Sequence, residues 1–305
     1  MNITIIIPTY NRAKILQTTL NSFLLLQYEK IKWEIIVVDN NSKDDTKDIV
    51  LNFNNILPIR YLFEKKQGKN YALNTAVKQS KGAVLVFIDD DILVDRLWLI
   101  EIYSSTLRYP DYDVFGGKTL PQFPRGTPEW IKKSNYSIFV YGIHDLDQQE
   151  GEYQNSGTPG GANCWVRGQV FRSGNMYSVD IGPKGYGRIS GSELEFFTRL
   201  LRKGIKPVYI PTALVTHRIQ KFQTKKKYLV KRSYASGRGF IYVHNDSISP
   251  RIFGVPRYIF RQIVEGLIKS IYCYIKLDIK SAFEHVMYVA HRVGCVKQYW
   301  LNFGK

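Results

Sequence analysis

Three consecutive carboxylates, Asp89-Asp90-Asp91, follow an unbroken apolar run, Ala83-Val84-Leu85-Val86-Phe87-Ile88. Six apolar residues rich in β-branching predict a central strand covered on both faces. Three acids placed together at its end repel one another unless positive charge sits among them. A divalent cation carrying a bound diphosphate would supply that charge, because hard cations take oxygen ligands. The same triplet also fits a solvated acidic turn leading into a helix, whose N-terminus favours carboxylates. The three residues by themselves leave both readings open.

The elements that must position these acids alternate in type. Ile3–Ile7, Trp33–Val38, Ile59–Phe63 and Ala83–Ile88 read as strands, and Ala13–Leu26, Thr46–Phe53 and Lys69–Ser80 as helices. Such a β-α-β-α-β-α-β series implies a mostly parallel sheet with right-handed crossovers. Ligands of these sheets bind beyond the C-terminal ends of the strands. Pro8-Thr9, Asp39 and Asp89–Asp91 all fall at such ends, so the topology converges them on one crevice. The pattern breaks over Lys118–Gly161, where Pro121, Pro124, Pro128, Trp130 and a Ser-Gly-Thr-Pro-Gly-Gly stretch predict a long loop or lid. Glu193–Lys203 then reads as a helix and Val208–Ile210 as a strand ending before Pro211.

The 305 residues suffice for a full core and a smaller second module. A 44% hydrophobic and 23% charged composition is that of a folded chain. Cys164, Cys273 and Cys295 are far apart and show no metal-binding spacing, which suits a reducing cytoplasm. Met1 leads straight into Ile3–Ile7 without a basic segment or cleavage site, so that stretch reads as a first strand and not a signal peptide. Of the net charge of +17, residues 225–305 contribute +11, from 15 Lys and Arg against 4 Asp and Glu. That surplus points to a polyanionic partner: nucleic acid, an anionic membrane surface or phosphorylated substrates. Nucleic acid is not expected, since helix-turn-helix, RNA-binding and zinc signatures are all missing. Neither a Walker loop nor Gly-x-Gly-x-x-Gly after a strand occurs. Apolar residues at Ile259, Phe260, Ile263, Val264, Leu267, Ile268, Ile271, Tyr272 and Ile275 recur at helical spacing, with charges on the other side. This amphipathic helix either packs on its own domain or lies in a membrane interface, peripherally on the inner face of the plasma membrane.

The motifs resemble those of family 2 glycosyltransferases, nucleotide-sugar-dependent enzymes with a GT-A fold. Ile5-Ile6-Ile7-Pro8-Thr9-Tyr10-Asn11-Arg12 is similar to the family's first strand and nucleotide-binding turn, and Val37-Val38-Asp39-Asn40-Asn41-Ser42 to the second, where an Asp meets the nucleobase. Gln67-Gly68-Lys69-Asn70-Tyr71-Ala72-Leu73-Asn74 resembles the segment bordering the nucleotide, and Phe87-Ile88-Asp89-Asp90-Asp91 the DxD motif. Gly160-Gly161-Ala162-Asn163 resembles an acceptor-side segment, Gly191-Ser192-Glu193-Leu194-Glu195 the start of the base-bearing helix, and Val215-Thr216-His217 the late metal-completing His. The likeness runs from Ile3 to about His217, and more loosely through Tyr228–Gly239. Two positions depart: Ser192-Glu193 stands where the family often has Glu-Asp, and Leu73 where it often has Arg, for which Lys69 is a substitute.

The resemblance implies an inverting transfer of sugar from a nucleoside-diphosphate sugar, most commonly a uridine one, to a hydroxyl of a glycan or lipid-linked acceptor. It implies Mg2+ or Mn2+ held by Asp91 and His217, and Glu193 as general base. Donor contacts fall to Pro8, Thr9, Tyr10, Arg12, Asp39, Lys69, Asn74, Asp89 and Asp90, and acceptor contacts to Asn163 and Trp130. Residues 1–222 read as the GT-A catalytic domain and 223–305 as a basic, amphipathic helical extension. The rivals are a sugar nucleotidyltransferase, weakened by the absence of glycine from Pro8–Arg12, and a non-enzymatic membrane- or nucleic-acid-binding protein.

Overall fold

The computed structural model describes residues 2–28, 30–134, 139–155, 157–184, 187–244 and 249–303. The chain divides into two compact units. One comprises Met1–Gln122, Gly142–Asp180 and Phe196–Arg218; the other comprises Phe123–Tyr141, Ile181–Glu195 and Ile219–Lys305.

The first unit holds a nine-stranded sheet. Its strands are β1 (Ile3–Thr9), β2 (Trp33–Asp39), β3 (Ile59–Phe63), β4 (Val84–Phe87), β5 (Ile92–Val94), β6 (Val114–Gln122), β7 (Gly151–Glu152), β8 (Cys164–Arg167) and β11 (Pro207–Arg218); β9 (Gly182–Lys184) and β10 (Gly187–Ile189) form a separate hairpin in the second unit. The order is β3-β2-β1-β4-β8-β6-β11-β5, with β7 on β11. Strands β3, β2, β1 and β4 are parallel, as is β6 with β11, while β8 runs antiparallel to both β4 and β6. The helices α1 (Ala13–Phe23), α2 (Thr46–Asn52), α3 (Lys69–Gln79) and α4 (Trp98–Arg108) connect them. This is the mostly parallel, helix-flanked sheet that the β-α alternation predicts.

Side chains alternate across a strand with period two, and the two cores follow that rule. Ile5, Ile7, Ile35, Val37, Val84 and Val86 face a core completed by Leu16 and Leu20 of α1, Val50 of α2 and Trp98 of α4. Ile6, Ile36, Val38, Leu85 and Phe87 face the other, with Ala72, Leu73 and Ala76 of α3 and Phe196, Phe197 and Leu200. Leu73 is thus an apolar core contact of α3.

Three expectations need correction. The triplet does not open a helix: it leads into β5, which pairs antiparallel with β11 through Ile92–His217, Leu93–Thr216 and Val94–Val215. Pro211 does not end the late strand, because a register shift between Ile210 and Val215 accommodates it within β11. The irregular stretch begins later than Lys118, since β6 continues to Gln122 with Thr119 buried between half-buried Lys118 and Leu120. Beyond it come the short helix α5 (Glu129–Lys132) and β7; residues 135–138 and 156 lie outside the described residues.

The second unit packs the helices Lys226–Val243, Arg257–Ile275 and Ile279–Phe303. Ile241, Val255, Ile259, Cys295, Val296 and Tyr299 form its apolar centre. The first and third of these helices touch backbone to backbone at Gly237, where a Cβ would stand 1.8 Å from the His291 carbonyl oxygen. The boundary is therefore not the single cut at 222. Residues from 123–141 and 181–195 join this unit because Arg232 bonds both the Ser190 hydroxyl and the Val140 carbonyl.

Candidate active site

The site grows from the C-terminal ends of β1, β2 and β4. Parallel pairing sets Thr9 beside Asp39, and the Asn40 amide donates to the Thr9 carbonyl at 2.9 Å. The loops after β1 and β2 then bind each other: Asn11 N–H donates to Ser42 Oγ and Lys43 N–H to Asn11 Oδ1, both at 2.8 Å. Asn11 takes a φ of 51° to do so, a conformation that Asn tolerates. Asp44 Oδ2 accepts the Ala13 amide at 2.9 Å and so caps α1 from outside that helix.

Asp90 and Asp91 are 3% and 4% exposed, which excludes the solvated-turn reading of the triplet. Asp90 is held by Arg12 Nη1, by Thr9 Oγ1 at 2.7 Å and, through its carbonyl, by Thr19 Oγ1 at 2.7 Å. Asp91 Oδ2 accepts from Arg12 Nη2 at 2.9 Å. Its other oxygen, Oδ1, is buried and lacks a well-aligned hydrogen bond, although His217 Nε2 stands 3.3 Å away. His217 reaches it from β11, and the Arg218 amide donates to the Asp91 carbonyl at 2.9 Å. Asp89 faces outward and pairs with Lys69 Nζ at 2.6 Å.

Burial pushes the Asp90 carboxyl up to about 6, with Arg12 opposing the rise and Asp91 adding to it. Burial opposes ionisation of Asp91 as well, but His217 and Arg12 outweigh it and hold that carboxyl well below the usual carboxylate range. The guanidinium of Arg12 thus supplies the positive charge that the triplet demands. Asp39 is prepared differently. Its Oδ1 accepts from the Ser42 amide at 2.8 Å and its Oδ2 from the Tyr61 hydroxyl at 2.7 Å.

Not every expected site residue presents a free group. Pro8 is buried within β1 and Tyr10 is exposed. Asn74 binds the Tyr177 backbone reciprocally, donating at 2.9 Å and accepting at 3.0 Å, and so ties α3 to that loop. Asn163 corrects the acceptor-side expectation outright. It is fully buried, accepts from Trp98 Nε1 at 2.9 Å and donates to the carbonyls of Lys118 and Ala213 at 2.9 and 2.7 Å. Asn163→Ala orphans all three partners and should lower stability by about 3 kcal/mol in urea unfolding. Trp130 belongs to the second unit, where it packs edge-on against Phe283 and beneath Lys226. Glu193 is half-buried in the first turn of the helix Ser192–Arg202, within the second unit.

Sequence reading missed Tyr61, Thr19 and Asp44, which carry no motif and act only through contacts made by folding. It assigned no role to His144, which accepts from or donates to the Tyr153 hydroxyl at 2.7 Å, or to His291 of the second unit. Burial lowers both to about 4. A histidine whose folded value lies below its unfolded one of about 6.5 contributes stability that is lost as pH falls from 6.5 towards 4. Wild type should therefore lose about 2 kcal/mol more per histidine over that window than the His144→Gln/His291→Gln double variant, in urea unfolding at several pH values.

Among the described residues no three His, Cys, Asp or Glu side chains converge as a ready-made metal site. Asp91 and His217 nonetheless suit one, because a buried carboxylate oxygen without a proper hydrogen bond faces an imidazole nitrogen. Cations of the Mg2+ type are held by one or two carboxylates and take remaining ligands from substrate phosphates and water. An open depression of about 450 Å3 lined by Lys118, Asp145, Leu146, Asp147, Gln148 and Gln149 includes none of these acids. Its close charged pair, Lys118–Asp145 at 2.7 Å, neutralises itself.

The family model described as glycosyl transferase family 2 matches residues 4–174. The chain is 29% identical over 243 residues to glycosyltransferase AglE of Haloferax volcanii, covering 79% of this chain and 73% of that protein. It is 24% identical over 249 residues to the glucosyl-dolichyl phosphate glucuronosyltransferase of the same organism, covering 78% and 75%. Among solved structures, the mannosyltransferase PcManGT of Pyrobaculum calidifontis, in complex with GDP-Man and Mn2+, has a TM-score of 0.69 at 16% identity, over 98% of this chain and 87% of that one. At that identity the likeness speaks for the fold.

Proposed function

Because this chain belongs to glycosyl transferase family 2 and is a glycosyltransferase of GT-A fold, we propose that it moves a sugar from a nucleoside-diphosphate sugar to a hydroxyl of a glycan or lipid-linked acceptor, inverting the anomeric centre. Family membership sets aside the nucleotidyltransferase and the non-enzymatic readings. The observation that carries the proposal is the buried Arg12–Asp90–Asp91–His217 cluster at the strand ends, in which Arg12 meets one Asp91 oxygen and His217 stands 3.3 Å from the other. The acceptor class is supported by the relative that acts on a dolichyl-phosphate-linked sugar.

Asp91 and His217 would hold Mg2+ or Mn2+, which supplies Lewis-acid neutralisation of the leaving diphosphate. Asp39 is fixed by Tyr61 and Ser42, and its carboxylate is the acceptor for a nucleobase N–H. Asp89, half-exposed beside Lys69, faces ribose or donor sugar. Asp90, buried with both oxygens engaged, holds Arg12 and Thr9 in place rather than touching the sugar. Arg12, Lys69, Thr9 and Tyr10 border the phosphates. Glu193 takes the proton of the acceptor hydroxyl. The freed oxygen attacks the anomeric carbon from the face opposite the diphosphate. The bond to the diphosphate oxygen breaks as the new one forms, and the leaving group keeps the electron pair. The dipole of the helix Ser192–Arg202 favours the ionised form of Glu193 in its first turn.

The test is a panel of nucleoside-diphosphate sugars incubated with a dolichyl-phosphate-linked sugar and Mn2+, with the product's anomeric configuration read by NMR. An inverted glycoside from one donor supports the reading. Retention of configuration, or no nucleotide release from any donor with or without acceptor, contradicts it.

A further inference from the structure

The helix Arg257–Ile275 is apolar on two opposite faces, and only one of them is covered. The covered face carries Ile259 and Gly266. A Cβ on Gly266 would come within 2.7 Å of Val289 Cγ2, and Ser270 Oγ donates to the Ala282 carbonyl at 3.0 Å, so that face lies against the helix Ile279–Phe303. At about 100° per residue, Val264, Ile268, Ile271 and Ile275 fall within about 60° of arc on the other side. They are 55%, 61%, 61% and 72% exposed. Leu267 and Tyr274 extend the stripe on one flank and Tyr272 on the other, all of them exposed. Just beyond Tyr272 comes a rim of Lys269 and Lys276 with Arg261 beside it; exposed Glu265 lies among them, 3.4 Å from Arg261, and the rim keeps a net positive charge.

We propose that this stripe seats in the headgroup–acyl boundary of a bilayer that bears anionic lipid, holding the chain on the membrane surface. Three observations select that occupant. An exposed apolar stripe with a cationic rim is the pattern of an interfacial helix. Residues 257–280 carry five Lys and Arg against two Asp and Glu, and all five basic residues are exposed. A second copy fits worse, because it would bring the same positive surplus against itself. A 19-residue helix also offers too little area. It is about 28 Å long and about 10 Å wide, hence about 300 Å2 per face, against about 800 Å2 per partner in a stable dimer. The helix lies on the membrane and does not cross it, since no described helix is long and apolar enough to span one. This surface needs no donor or acceptor, so it stands or falls apart from the catalytic reading.

The test is sedimentation of the full chain with vesicles of phosphatidylcholine alone and of phosphatidylcholine mixed with phosphatidylglycerol. The wild type is expected to partition onto the mixed vesicles and only weakly onto the neutral ones. Ile268→Asp/Ile271→Asp should lower that partitioning at least tenfold with an unchanged melting temperature, because both side chains already face solvent. Lys269→Glu/Lys276→Glu should lower it about fivefold or more for each charge lost at the surface. Equal binding of the wild type to both vesicle types overturns the proposal, as does undiminished binding by the Ile268/Ile271 variant. A dimer in ultracentrifugation that dissolves in that variant, without vesicle binding by the wild type, also overturns it.

Discussion

Asp91→Asn is expected to cut sugar transfer by about 10^3-fold and to abolish the Mn2+ dependence of nucleoside diphosphate binding, with the chain still folded. The substitution keeps the shape of the side chain and removes its charge. In the wild type that charge is kept in a buried place by Arg12 Nη2 at 2.9 Å and by His217 Nε2 at 3.3 Å. An amide in its place can still sit beside Arg12 through its oxygen, so core packing is little changed. It cannot present an anionic oxygen beside His217, which is what a hard cation requires. A loss of several kcal/mol of charge stabilisation on the leaving diphosphate corresponds to about 10^3-fold in rate. Titration calorimetry with and without Mn2+, together with initial rates, measures both effects. Mn2+-dependent nucleotide binding equal to wild type would remove Asp91 from the metal role.

Glu193→Gln should lower kcat by about 10^3-fold and leave the dissociation constant for donor unchanged. The change removes the proton acceptor without altering volume, so a defect confined to kcat marks a group used in the chemical step. The acid limb of the kcat–pH profile, which reports the base in the bound complex, should vanish with it. Equal loss of donor affinity would instead mark Glu193 as a residue of the donor pocket. Full activity would leave it as an acid that favours the helix N-terminus.

The strands and the ends that carry the acids were legible because local pattern determined them. Ile3–Ile7 and Trp33–Val38, each interrupted once by a polar residue (Thr4, Glu34), and the unbroken run Ala83–Ile88 are apolar enough to read as buried strands, with Thr9, Asp39 and Asp89 at or just past their ends. The triplet's need for counter-charge was legible, but the residues left a solvated turn and a cation site both open, and the burial of Asp90 and Asp91 beside Arg12 comes from the fold. Arg12 was read as a donor contact, whereas in the structure it clasps both carboxylates. A motif cannot say which of a phosphate and a carboxylate an arginine meets first. Asn163 was misread for a related reason. Gly-Gly-Ala-Asn has the composition of a loop, yet the residue starts into β8, and its amide answers the indole of Trp98 from 65 positions away. The short β5, the bulge at Pro211 and the joining of residues 123–141 and 181–195 to the C-terminal helices depend on long-range pairing, which leaves no periodic trace.

The central claim is that carboxylates from separate stretches of chain gather around a cation-bound sugar donor. Its most direct test is a crystal structure with Mn2+ and the nucleoside diphosphate of the preferred donor. Anomalous density for manganese against Asp91 and His217, with the base at Asp39 and Arg12 drawn off the acids toward phosphate, is the predicted result. Manganese bound elsewhere, with Arg12 still closed on Asp90 and Asp91, would contradict it.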